Sequence, residues 1–240
     1  MNILLPNPRY LLVGESALCV EFGDRIDPAL HDRVLGLDHA LALAPIPGIL
    51  ETVPTYRSLL IHFDPHCLTT EDLIAAIERR EATALPATEK KSWRIPVCYE
   101  QPYAEDLSEV AELTGLSPET IITLHVQAIY RVYMYGFAPG FTFLGGLPEA
   151  LAISRRQAPR APAPAGSLTI AGGQALITSM AMPTGWYVLG RTPVRVFDLR
   201  RPNIFLTDIG DEIRFERIDA ATFARLDARA ASGDPLVTPL

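Results

Sequence analysis

The stretch AGSLTIAGGQALITSMAMPTGWYVLGRTPVRVF, residues 165–197, sets four short apolar runs, 167–170, 175–178, 186–189 and 194–197, between Gly, Pro and Ser. Runs of this length are too short for ordinary helices, and their β-branched and aromatic content with turn residues between them reads as strands. Working outward, 212–215 continues the pattern downstream and 130–137 opens it upstream. From Gly136 to Phe215 the chain is almost entirely β-like, and Gly and Pro divide it at short intervals. That punctuation predicts a closed or sandwich-like β architecture.

The flanks carry helices. Trp93 to Tyr99 alternates as a strand, Ala104 to Leu113 has helical spacing, and Ser117-Pro118 opens a second helix to about Ala128. Asp219 caps a last helix over 220–231. Nearer the start, runs at 10–13 and 17–22 around Gly14-Glu15-Ser16 read as a hairpin. Asp27-Pro28 starts a helix with Leu30, Val34, Leu37 and Leu41 on one face, followed by strands at 49–53 and 58–63. A helix from Thr69 or Thr70 to about Arg80 closes this part. Residues 81–91 lose all periodicity and read as a connector. The expected organisation is α+β, with domains 1–91 and 92–240.

Composition narrows the class. Apolar residues make up 48% of the 240, enough for a real core, and no apolar run reaches the roughly 20 residues of a membrane span. The opening MNILLPNPRY lacks a secretory pattern, so a cytoplasmic location without membrane association is expected. Cys19, Cys67 and Cys98 are odd in number and widely spaced, and are read as small buried apolar residues. A net charge of -7 argues against nucleic-acid binding. Only Lys90 and Lys91 are lysines, so any cation with a task is an arginine. The histidines do not form a metal-ligand pattern, and no metal is assigned.

Four segments can carry chemistry. GFAPGFTFLGGLP, residues 136–148, sets Phe137, Phe141 and Phe143 among glycines, Gly140 included; it is either an aromatic-packed turn or a loop bringing backbone N–H groups to a ligand. Arg160 stands in the proline-stiffened APRAPAPAGS, residues 158–167, where it is either a solvated charge or a pre-organised carboxylate or phosphate binder. Gln174 follows Gly172-Gly173, and Arg191 sits in GRTP. His125 is the one histidine beyond residue 91: either a structural group or the first candidate for proton transfer. The shared loop-like punctuation predicts that Arg160, Ser167, Gln174, Arg191 and His125 line one concave site. Neither G-x-x-x-x-G-K-[ST] nor G-x-S-x-G occurs.

The segments GESALCVEFGD (14–24), VPTYRSLLIHFDP (53–65), LHVQAIYRVYMYGFAPGFTFLGGLP (124–148), APR (158–160), PAGSLTIAGGQ (164–174) and GWYVLGRTP (185–193) together resemble the allophanate hydrolase subunit 1 family, which includes KipI-type kinase inhibitors and 5-oxoprolinase B subunits. Departures from the family pattern include Glu15 and Thr184. The resemblance implies a small N-terminal α/β sandwich followed by a cyclophilin-like β-barrel. It implies a non-autonomous subunit of a complex that uses ATP to open 5-oxo-L-proline, a small cyclic amide, to L-glutamate. The implied partners are an allophanate hydrolase subunit 2-like protein (PxpC) and a LamB/YcsF-type protein (PxpA). Alternatives are inhibition of a sensor histidine kinase, or a place in a urea- or allophanate-processing enzyme. On this reading Arg160, Ser167, Arg191, Phe141 and Gly140 bind substrate, and His125 and Gln174 serve catalysis.

Overall fold

A computed structural model describes residues 7–81 and 90–240. The connector expected at 81–91 falls mostly on 82–89, outside the described residues, as do the first six of the chain. The chain divides into two compact units, 1–89 and 90–240. Among the described residues no helix is long and apolar enough to cross a membrane.

The first unit is a two-layer sandwich. Strands β1 (Arg9–Leu12) and β2 (Ala17–Glu21) form the hairpin; α1 (Pro28–Leu43), β3 (Ile49–Pro54), β4 (Ser58–Phe63) and α2 (Thr70–Glu81) follow. The sheet is antiparallel in the order β1-β2-β4-β3. Alternation sends Leu18 and Val20 of β2 and Leu59, Ile61 and Phe63 of β4 to one face, where they meet Leu30, Val34, Leu37, Leu73 and Ile77 of the two helices. The Asp27 carboxylate accepts from the Ala29 N–H at 2.8 Å with Pro28 in the first turn, so α1 starts where its cap dictates. One reading of the cysteines needs correction. Cys67 is exposed, and its thiol donates to the Asp64 carboxylate at 3.3 Å, which pushes the thiol pKa up.

The second unit is built on a closed barrel. Its elements are β5 (Ser92–Cys98), α3 (Leu107–Thr114), α4 (Pro118–Gln127), β6 (Tyr130–Tyr135), β7 (Thr142–Gly145), β8 (Arg160–Ala163), β9 (Ser167–Ala171), β10 (Gln174–Ile177), β11 (Met182–Thr184), β12 (Tyr187–Arg191), β13 (Glu212–Ile218) and α5 (Ala220–Ala231). Seven strands close in the order β10-β7-β6-β13-β5-β12-β9. Closure leaves no free edge. Only the β5–β13 pair is parallel, and it runs over seven residue pairs from Glu212 with Ser92 to Ile218 with Cys98. Ile95, Val97, Tyr130, Val132, Leu144, Leu168, Ile170, Ile177, Leu189, Ile213 and Phe215 share its core.

Three strands went unread in the sequence, and one expected strand is absent. β7 lies inside the glycine-rich 136–148, while β8 and β11 form a separate two-stranded ribbon from proline-bearing segments. Proline, lacking an N–H, is tolerated on such edges. The run 194–197 makes a single bridge, Phe197 with Phe205: after Pro193 its bonds go to Thr192 and to the returning 204–206 rather than to a barrel ladder.

Candidate functional site

The period-two alternation of the barrel strands builds the site. In β10, Ala175 and Ile177 join the barrel core, so Leu176 turns to the opposite face. Its register partner on β7 is Phe143, while Leu144 beside it points inward. Leu176 and Phe143 therefore share an outer face, where Ala138, Phe141, Met182 and Trp186 pack with them. Phe143 and Trp186 meet edge to face at 6.0 Å, and Phe137 and Phe141 lie at 6.0 Å and 48°.

The loop between β6 and β7 brings Phe137 and Phe141 here. It is a tight turn, with Ala138 N–H on the Gly136 carbonyl at 2.7 Å and Phe141 N–H on Ala138 at 3.1 Å. Gly140 is at φ +74, and a Cβ there would sit 2.2 Å from the Cβ of Phe197, so only glycine fits. Phe137 holds φ +65 without being glycine and is 78% exposed. Strained backbone and exposed aromatic surface coincide at this one residue.

These groups and the β8–β11 ribbon enclose a cavity of about 320 Å³, lined by Phe137, Phe141, Phe143, Arg155, Pro159, Leu176, Thr178, Met182, Pro183, Thr184, Gly185 and Trp186. That volume suits a small molecule. Every lining residue falls between Gly136 and Thr192. Besides the Trp186 indole N–H, the polar side chains of the lining are one cation, Arg155, and two hydroxyls. The Thr178 hydroxyl is committed, donating to the Pro164 carbonyl at 2.9 Å and accepting from the Ser167 N–H at 2.9 Å. The Thr184 oxygen accepts from the Trp186 N–H at 3.0 Å, which leaves its proton to donate.

The five residues expected to converge, Arg160, Ser167, Gln174, Arg191 and His125, are not in the lining of this cavity. Phe141 lines the cavity, and Gly140 shapes the turn beside it. Arg160 is held by Asp106 at 2.5 Å and by Glu105, two carboxylates that already fill its guanidinium fork. Arg191 lies over the rings of Tyr103 and Phe223, at 5.0 and 5.6 Å. Ser167, its register partner on β9, is buried, and its hydroxyl has no hydrogen-bond partner among the described residues. Gln174 is half-buried where β10 leaves the Gly172-Gly173 turn.

His125 departs furthest from its expected role. It is fully buried, stacked on Phe215 at 4.9 Å and 9°, with Nδ1 bonded to the Tyr99 hydroxyl at 2.8 Å. Burial lowers its pKa from 6.5 to about 3, so it stays neutral in ordinary solution and has no path to a substrate proton. Arg155, and not Arg160, is the arginine of SRRQAPR that lines the cavity, a distinction that the local sequence does not make.

Residues 8–207 match the family model described as carboxyltransferase domain, subdomain C and D. The chain is 36% identical over 222 residues to the 5-oxoprolinase B subunit of Bacillus subtilis, covering 86% of this chain and 91% of that one. Among solved structures, TTHA0988 superposes with a TM-score of 0.76 at 37% identity, over 85% of this chain and 40% of that longer one. The urea amidolyase of K. lactis superposes at a TM-score of 0.84 over all of this chain and 16% of that one; at 17% identity it speaks for the fold alone.

Proposed function

The chain belongs to the carboxyltransferase subdomain C and D family, alongside 5-oxoprolinase B subunits, and from that premise we propose that it is the B subunit of an ATP-dependent 5-oxoprolinase, opening the lactam of 5-oxo-L-proline to L-glutamate. The observation that carries this reading is the aromatic cavity on the outer face of the barrel. Its size, apolar walls, single guanidinium and single available hydroxyl match a small ring bearing an amide and a carboxylate.

The cavity does not fit the nucleotide. A triphosphate calls for clustered cations or a run of backbone N–H donors at a glycine-rich loop. Arg155 is the one cation of the lining, and Lys91 is held by Asp208 at 2.7 Å. We therefore assign ATP binding to a partner, of the subunit 2-like or LamB/YcsF type. Two observations support a completed site. Phe137 is exposed beside the cavity, and in TTHA0988 the matching unit occupies 40% of a longer chain.

The purified chain alone is expected to release no glutamate from 5-oxoproline and ATP, and to gain turnover when co-purified with both partners. Size-exclusion chromatography with a glutamate-release assay checks this. Full turnover by the isolated chain would overturn the division of labour. A stable complex that opens a different amide, and not 5-oxoproline, would replace the substrate.

A further inference from the structure

The segment 154–160, SRRQAPR, carries three arginines that the fold treats differently. Arg156 is held by Glu109 at 2.7 Å and Asp106 at 3.0 Å, and Arg160 by Asp106 and Glu105. Arg155 faces the cavity and has no carboxylate or hydrogen-bond acceptor among the described residues. It is nonetheless held in place. The Arg156 N–H bonds the Gly185 carbonyl at 2.8 Å, which pins the adjoining backbone. The guanidinium packs so closely on Gly185 that a Cβ there would come within 3.1 Å of Nη2 and 3.2 Å of Nε. Arg155 is an exposed residue whose guanidinium lies against Gly185 at the cavity, and a guanidinium without a partner there offers a subsite for a planar anion, because its fork matches a carboxylate with two parallel N–H bonds.

We propose that Arg155 anchors the substrate carboxylate, so that this chain selects cyclic amides bearing a carboxylate. The ring packs against Phe141, Phe143 and Trp186, and the Thr184 hydroxyl donates to the lactam carbonyl. This inference rests on the 5-oxoprolinase reading and goes beyond it by assigning substrate selection to one residue of this chain.

Steady-state kinetics of the assembled complex test it with Arg155→Gln and Arg155→Lys. A hydrogen-bonded charge contact contributes enough that R155Q is expected to raise KM for 5-oxoproline by roughly 10- to 100-fold with kcat little changed. R155K is expected to fall between, since an ammonium keeps the charge without the fork. Inhibition by 2-pyrrolidinone, the same ring without the carboxylate, should be unaffected by either change, which separates an anchor from a general structural role. Wild-type KM in R155Q, or equal weakening of 2-pyrrolidinone, overturns the anchor and leaves the subunit assignment standing. A wild-type complex inactive on 5-oxoproline defeats the parent reading instead. The anchor is then decided on the isolated chain, by whether 5-oxoproline shifts the Trp186 indole N–H resonance in the wild type and not in R155Q. No shift in the wild type also overturns it.

Discussion

Replacing Asp106 by Ala is expected to destabilise the barrel unit by roughly 3–5 kcal/mol, the scale for breaking a buried ion pair from one side. Asp106 stands at the N-cap of α3, yet its side chain makes no cap bond. Its carboxylate is spent across the structure instead: one oxygen accepts from the Val188 N–H at 2.7 Å and from Arg160 at 2.5 Å, the other from Arg156 at 3.0 Å. The Asp106 N–H in turn donates to the Val188 carbonyl at 3.0 Å. One side chain thus fastens helix α3, strand β12 and the segment leading into the ribbon. Its side chain is only 9% exposed, so water does little to screen the loss. The alanine variant leaves the Val188 N–H unpaired and two guanidiniums short of an acceptor. Asp106→Asn, which keeps one acceptor, is expected to lose about half as much. Both tryptophans, Trp93 and Trp186, belong to this unit, so denaturation followed by their fluorescence reports on it alone. A change below about 1 kcal/mol in D106A would mean that Glu105 and Glu109 carry the cluster without Asp106.

The same cluster explains what the sequence could not disclose about the site. Arg155 and Arg160 both stand in one proline-bearing segment, and nothing local separates a cavity cation from a paired one. The difference is made by Glu105 and Asp106, about fifty positions earlier, which only the fold brings to Arg160. The aromatics were legible, because glycines around Phe137, Phe141 and Phe143 are out of place in a packed strand. That same punctuation hid β7, whose four residues sit between Gly140 and Gly146. Helix starts were easier to read, since the signal is local. Asp27, Ser117 and Asp219 each cap through the side chain, onto Ala29, Thr120 and Thr222. The burial of His125 also has a local signal: in α4 it lies four residues after Ile121 and three after Ile122, on the buried stripe.

The buried histidine leads to the second large effect, an acid sensitivity of the barrel that belongs to one residue. In the folded chain His125 is lowered to about 3 by burial, whereas unfolded it returns to its ordinary 6.5. Above pH 6.5 the imidazole is neutral in both states, and its contribution to stability is fully present. Below that, the unfolded chain takes up a proton that the folded chain refuses, so stability is lost progressively as pH falls towards 3. At about 1.4 kcal/mol for each pH unit, the loss reaches roughly 4 kcal/mol by pH 3.5. Replacing His125 alone would strand the Tyr99 hydroxyl, its partner at 2.8 Å, in the core. The informative variant is therefore Tyr99→Phe with His125→Phe, which removes both polar partners, keeps the rings against Phe215, and deletes an Nε2 that has no partner among the described residues. Carboxylates titrating in the same window act in both proteins and cancel in the comparison. Between pH 7 and 3.5 the double variant is expected to lose roughly 4 kcal/mol less than the wild type, by tryptophan-monitored denaturation at each pH. Equal losses would place the acid sensitivity elsewhere and show that His125 takes up its proton while the barrel stays folded.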